Sequence, residues 1–166
     1  MRTETKTIKI YNFNELNEDI KRKLIEKEIE YQHEAYCEDY LESDMKYRAK
    51  ELLKKYFKNN NAELKNVYYS LSYCQGDGAM FEFDLYYYNK HVQIQQYGHY
   101  YHRYSFIIAD NYELTEKQEK QLKEKVLKMF EEFEDYGWDL VDYRITEAEA
   151  IEILQENEYL EDGTIY

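Results

Sequence analysis

The sequence predicts an α+β fold: a single domain over residues 1–166, built on one antiparallel sheet of about four strands plus a short C-terminal hairpin, with roughly three or four helices covering mainly one face. Three observations carry this. Residues 67–88 alternate apolar and polar side chains on both sides of a glycine-bearing turn. Two Thr-x-x-Gln/Glu capping boxes open amphipathic stretches further along. Finally, the 166 residues include no proline and only five glycines, so long helices and uninterrupted strands are expected.

In chain order, residues 3–13 alternate threonine, isoleucine and charge and read as a first strand, near a sheet edge because of their lysines. Asn17 suits an N-cap, with Glu18 and Asp19 placed against the helix dipole. The helix it opens carries Ile20, Leu24, Tyr31 and Ala35 on one stripe, beside Ile25, Ile29 and Tyr36. A second helical stretch follows over 37–57, with Leu41, Met45, Ala49, Leu52, Leu53 and Tyr56 at helical spacing. One helix of such length would be unusual in a domain of this size, so a break is expected within 37–44.

The hairpin comes next. Val67, Tyr69, Leu71 and Tyr73 form one face of its first strand, and Ala79, Phe81, Phe83 and Leu85 one face of its second, around Gln75-Gly76-Asp77-Gly78. Val92, Ile94 and Gln96, then Tyr104, Phe106 and Ile108, predict two more strands with a bend near Gly98. Thr115-x-x-Gln118 opens a helix through Leu122, Val126, Met129, Phe130 and Phe133, expected to end near Gly137, with residues 138–145 irregular or extended. Thr146-x-x-Glu149 opens a last helix, through Ile151 and Leu154 to about Asn157. Asp162-Gly163 is then a turn between two very short strands.

Cys37 and Cys74 lie far apart without a CxxC motif, and neither a signal segment nor a bilayer-length apolar run is present. A soluble cytosolic protein with reduced thiols is the expectation, a Cys37–Cys74 disulfide the alternative. The net charge of −13 is unevenly distributed. Residues 131–166 hold thirteen acids and one base, Arg144, giving −12, while residues 1–130 account for −1. Phe133, Trp138, Leu140, Val141, Ile151, Ile153, Leu154 and Tyr159 are interleaved with those acids, so this acidic third is expected to pack and to hold its charges on a folded surface. By contrast, residues 85–109 contain no acid and seven tyrosines, at 86, 87, 88, 97, 100, 101 and 104.

Several segments together resemble a known group: Phe13-x-Glu15-Leu16-x-Glu18, Tyr68-Tyr69-Ser70 leading into Gln75-Gly76-Asp77-Gly78-Ala79-x-Phe81, Tyr100-Tyr101-His102, and Ile153-x-x-x-Asn157-Glu158-Tyr159 before Asp162-Gly163. In these the chain resembles a widespread family of uncharacterised phage and prophage proteins, some labelled as the antitoxin of a toxin-antitoxin stability system. The resemblance implies phage origin and a protein-binding role. The richness in tyrosine departs from the family pattern.

Gln75, Gly76, Asp77 and Gly78 are a candidate binding loop. They lack the Lys-Ser/Thr and the strand-to-helix setting of a phosphate loop, and a hairpin turn suffices to explain them. His99-x-x-His102, with His91, offers imidazoles to a metal but no acid or cysteine nearby in sequence, so no metal is assigned. Cys74 with His99 or His102 would make a thiolate pair, although a half-buried strand cysteine is the simpler reading. Tyrosines with His and Arg could stack single-stranded bases, but only Lys90 and Arg103 bring firm positive charge to that stretch. Duplex nucleic acid, membranes and cofactors are not expected as ligands.

The function expected is therefore that of a phage-encoded acidic binding protein, not an enzyme. It would inhibit or neutralise a host defence or toxin enzyme in the host cytoplasm, in the manner of anti-CRISPR, anti-restriction or antitoxin proteins, with mimicry of DNA as one form. Asp135, Asp139, Asp142, Glu147, Glu149 and Glu152, with Tyr97, Tyr100 and Tyr101, are the expected contacts with a basic, nucleic-acid-processing partner. A homodimer is left open. The alternatives are a small enzyme or ligand-binding module using the Gln75–Gly78 loop and nearby histidines, and a single-strand binder using the tyrosine-rich strands.

Overall fold

The computed structural model describes residues 7–72, 74–109 and 114–166, and the fold is α+β. The elements are β1 (Tyr11–Asn12), a 3-10 turn (Phe13–Glu15), α1 (Glu18–Asp39), α2 (Leu41–Phe57), β2 (Glu63–Ser70), β3 (Gly78–Tyr87), β4 (Lys90–Gln96), β5 (Phe106–Ala109), α3 (Glu116–Asp142), α4 (Glu147–Leu154) and β6 (Glu158–Tyr159). They divide into two compact units. One comprises the segments up to Glu38 and from Tyr143 onward, the other Asp39 to Asp142. Among the described residues no helix is long and apolar enough to cross a membrane.

In the larger unit β2, β3, β4 and β5 form an antiparallel meander in sequence order. The alternation predicted from sequence is its register: Val67 lies opposite Phe81, Phe83 opposite Ile94, and Leu85 opposite Val92. This apolar face is covered by α2, through buried Met45, Ala49, Leu52, Leu53 and Phe57, and by α3, through Leu122, Val126, Met129, Phe130 and Phe133. The centre is aromatic. Phe81 meets Phe130 and Phe133 edge-on at 5.0 and 4.8 Å, Phe106 meets Phe130 at 5.4 Å, and Phe57 meets Phe83 at 5.5 Å. Burying one such ring is worth about 1.5–3 kcal/mol, and an edge-on pair adds about 0.5–1.5 kcal/mol. The break between α1 and α2 falls at Tyr40, within the expected interval; Ser43 Oγ donates to the Tyr40 carbonyl at 2.8 Å.

The smaller unit is organised around Tyr159. Its ring is fully buried with Phe13, Leu16 and Leu154, against Tyr11, Ile20, Leu24, Ile25 and Ile151, and its hydroxyl donates to the Leu154 carbonyl at 2.8 Å. That bond satisfies the one polar atom the burial would otherwise strand. β1 pairs antiparallel with β6, and Tyr159 also bridges to Ile165 across the Asp162-Gly163 turn. Asn17 Oδ1 accepts the Asp19 N–H at 2.9 Å, capping α1 as expected. The Thr146–Glu149 box closes in both directions: Thr146 Oγ1 accepts from Glu149 N, and Glu149 Oε2 accepts from Thr146 N at 2.8 Å.

Some boundaries differ from the sequence reading. The strand expected over 3–13 is reduced to Tyr11–Asn12, because its only partner, β6, has two residues; Ile8 and Ile10 are exposed, and residues 3–6 lie outside the described ones. β2 stops at Ser70, before Leu71, because the backbone N–H groups of Ser72 and Cys74 turn inward to the Asp77 carboxylate. Tyr73 lies outside the described residues. Tyr104 sits in the β4–β5 loop, 68% exposed. Gly137 does not end α3, which runs on through Trp138 to Asp142. Glycine is placed there by packing, since a Cβ would come within 3.1 Å of both Leu71 Cδ1 and Met45 Cε.

Candidate functional site

The loop between β2 and β3 is built around one carboxylate. Asp77 Oδ1 accepts from Ser70 Oγ at 2.6 Å, and its Oδ2 accepts from Ser72 N at 2.8 Å and Cys74 N at 2.7 Å. These bonds, the Ser70 hydroxyl first, hold the Asp77 carboxyl below the usual carboxylate range. Backbone donors converging on an anion are what a phosphate would require. Here the chain supplies its own anion, so the Gln75–Gly78 loop is already filled.

A second loop, between β4 and β5, closes over the first. The Tyr100 ring lies on Gly76, whose φ of +90° and lack of a side chain both matter: a Cβ would fall 2.1 Å from Tyr100 Cδ1. At Gly78 a Cβ would fall 2.6 Å from the Cα of His102, so backbone meets backbone there. Gln96 Nε2 donates to the carbonyls of Gly98 and Tyr100, and Tyr101 stacks on Tyr68 with ring centroids 5.5 Å apart. His102 lies between Tyr100 and Tyr104, with Ser105 Oγ 3.2 Å from its Nδ1.

Arg103 fastens this loop to α3. Its Nε donates to Glu134 Oε2 at 2.9 Å and its Nη1 to Glu131 Oε1 at 2.6 Å. Glu134 is buried, and a buried carboxylate is costly without such a partner. Glu132 is likewise engaged by Lys55 Nζ at 2.6 Å and Tyr56 Oη at 2.5 Å. Those bonds hold its carboxyl below the usual range, while burial, then the bond to Glu132, pushes the Tyr56 phenol up to about 12. Three acids of the 131–166 segment are thus engaged by two cations from outside it, Arg103 and Lys55. Nothing local in the sequence signals these pairings, which join residues 28 to 77 positions apart.

The other acids stay on the surface. Asp135, Asp139 and Asp142 are exposed on the last two turns of α3, at i, i+4 and i+7, and so on one face. Neither Asp135 nor Asp139 has a cationic partner among the described residues. Asp135 stands one turn, about 6 Å of rise, beyond Glu131 and hence beyond the Arg103 attachment. Glu147, Glu149 and Glu152 are exposed on α4, in the other unit, where Glu149 is occupied by its capping box. Of the tyrosines singled out, Tyr97 is 67% and Tyr100 52% exposed, whereas Tyr101 is half-buried on Tyr68. The larger unit therefore brings Tyr97, Tyr100 and the unforeseen Tyr104 onto a loop attached to α3 just before its acidic stripe.

His91 and His99 flank opposite ends of β4, His91 facing Asp84 at 3.7 Å, and the Cys74 thiol points to the Ser72 carbonyl. Among the described residues no three His, Cys, Asp or Glu side chains gather as metal ligands. Both cysteines are free. Cys37 has an unforeseen neighbour in His33, whose Nε2 is 3.6 Å from Sγ and whose Nδ1 is 2.8 Å from Arg144 Nη1. A guanidinium only donates, so Nδ1 is the acceptor in that contact. Burial pushes the Cys37 thiol up, against the opposing charge of Arg144, which favours an unreactive thiol.

Comparison with protein-family models, with curated proteins and with solved structures gives no match.

Proposed function

We propose that the chain is an acidic binding protein, not an enzyme, which presents the Asp135–Asp139–Asp142 face of α3 and the exposed tyrosines of the β4–β5 loop to a basic surface on a protein partner. The observation that carries the reading is the placement of two carboxylates without a cationic partner among the described residues, Asp135 and Asp139, beside a fixed aromatic loop. Arg103 holds the loop rigid against α3, so Tyr97, Tyr100 and Tyr104 offer contact area at little entropic cost. The carboxylates, in a chain of net charge −13, supply attraction and orientation.

The resemblance to phage and prophage proteins directs the proposal to a host enzyme that handles nucleic acid, whose basic cleft such a surface would occupy. Inhibition of a defence nuclease and neutralisation of a toxin are two forms of that function, and both place it in the host cytoplasm. Nucleic acid itself is the weaker ligand. Arg103 is spent on two carboxylates, Lys65 on Glu63 and Asp84, and the sheet face opposite the helices carries Glu82 and Asp84. A small-ligand role for the Gln75–Gly78 loop is disfavoured because Asp77, its one charged group, is already taken up by the Ser72 and Cys74 N–H groups that precede the loop.

Partner capture from host cells tests the proposal, using the wild type, an Asp135→Lys/Asp139→Lys variant and a variant of the two most exposed tyrosines of the loop, Tyr97→Ala/Tyr104→Ala. Both variants should lose the partner while keeping wild-type melting curves. Capture undiminished by the charge reversal would remove α3 from the interface.

A further inference from the structure

Where α2 ends and β2 begins, the larger unit has a second feature of opposite sign. A concavity of about 420 Å³ is floored by Leu53, Phe57 and Leu64 and walled by Lys50, Lys54 and Lys58. The three lysines stand at i, i+4 and i+8 on one flank of α2, about 6 Å apart along the axis. All three are exposed. None of them has a carboxylate partner among the described residues. The single acid of the lining, Glu63, is engaged by Lys65 at 3.1 Å. Lys125 of α3 is not part of the lining, but its Nζ lies 4.6 Å from the centre of the Phe57 ring.

We propose that this concavity is a binding site for a small anionic amphiphile, a carboxylate, sulfonate or phosphate head on an apolar body. The head would be held by Lys50, Lys54 and Lys58, and the body would lie on Leu53, Phe57 and Leu64. Two features favour that ligand class. The volume falls within the range of small-ligand sites. Lysine stems extend the apolar wall while their ammonium groups converge on its rim. A bound anion would relieve the mutual repulsion of three adjacent ammonium groups, none of which pairs with a carboxylate among the described residues. The acidic face of α3 takes no part, so this inference stands apart from the proposed function.

The test uses 8-anilinonaphthalene-1-sulfonate and its uncharged relative N-phenyl-1-naphthylamine, which shares the rings but lacks the sulfonate. Fluorescence titration of the full chain should show tighter binding of the sulfonate. Lys54→Glu/Lys58→Glu should weaken it by about tenfold or more and leave the uncharged probe unchanged. Lys54→Arg/Lys58→Arg should retain binding. Methyl resonances of Leu53 and Leu64 should shift with the sulfonate. Both variants alter exposed side chains, and a thermal melt equal to wild type confirms their fold. The proposal is overturned by equal loss of both probes, by sulfonate binding indifferent to the charge reversal, by shifts confined to other leucines, or by binding to anionic vesicles without binding to the free probe.

Discussion

Replacing Phe130 by alanine tests whether the larger unit is held by its aromatic centre. Phe130 is fully buried and faces three rings, Phe81 at 5.0 Å, Phe106 at 5.4 Å and Phe83 at 6.5 Å. Truncation of a buried phenylalanine costs about 3–5 kcal/mol. With three ring contacts, two from β3 and one from β5, all lost together, the upper part of that range is expected, about 4–5 kcal/mol. For a unit of this size each kcal/mol shifts the melting point by roughly 4–8 °C, so a fall of about 20 °C or more should appear by calorimetry. The β-sheet and α3 should melt together, since the rings join them. Ile107→Ala is the matched control: that side chain is 41% exposed on the same strand as Phe106 and should cost less than about 1 kcal/mol. A Phe130→Ala melting curve within a few degrees of wild type would mean that α3 is not packed on the sheet through these rings.

Two further predictions concern ionisation. The Asp77 carboxyl is held low in the folded chain, so its contribution is present above the ordinary carboxylate pKa and is lost as pH falls through the depressed folded value. Amide exchange at Ser72 and Cys74 should therefore quicken in Asp77→Asn at neutral pH, and in the wild type only under strongly acid conditions; exchange indifferent to the substitution would show that the loop does not depend on its carboxylate. Tyr56 has the opposite sign. Its phenol is raised to about 12, so its contribution is complete below the ordinary tyrosine value of about 10 and declines as pH climbs from there through about 12. Chemical denaturation across that window should show a steeper alkaline loss in the wild type than in Tyr56→Phe, and parallel curves would contradict the Tyr56–Glu132 assignment.

What could be read from the sequence was local. Alternation placed β2 to β5 in the right order, Thr115–Gln118 and Thr146–Glu149 marked two helix starts, and the excess length of a single helix marked the break at Tyr40. The two-residue turn at Tyr88–Asn89 escaped notice because it has no glycine, although both residues adopt positive φ, +52° and +61°, as a type I′ turn requires. Gly137 was misleading for the reverse reason, since it serves close packing in mid-helix. The candidate site was less legible than the fold. Acid counts treated Glu131, Glu132 and Glu134 as part of a free negative surface, whereas Arg103, Lys55 and Tyr56 engage them from distant parts of the chain. Glu149, legible both as the closing residue of a capping box and as a partner contact, is occupied by the box, so reversing its charge would disturb α4 as well as any interface. Such pairings depend on tertiary proximity, which composition and spacing do not encode.

The central claim, that the exposed carboxylates of α3 meet a basic partner, is tested most directly by the salt dependence of affinity for the captured partner. Dissociation constants of the wild type and of Asp135→Lys/Asp139→Lys are measured by calorimetry between 0.1 and 1 M salt, over which the screening length falls from about 10 Å to about 3 Å. The account predicts a wild-type affinity that drops steeply with salt and a variant that binds weakly with little further dependence, the two converging at the highest salt. Parallel salt curves of equal slope would contradict it, placing the attraction elsewhere on the protein.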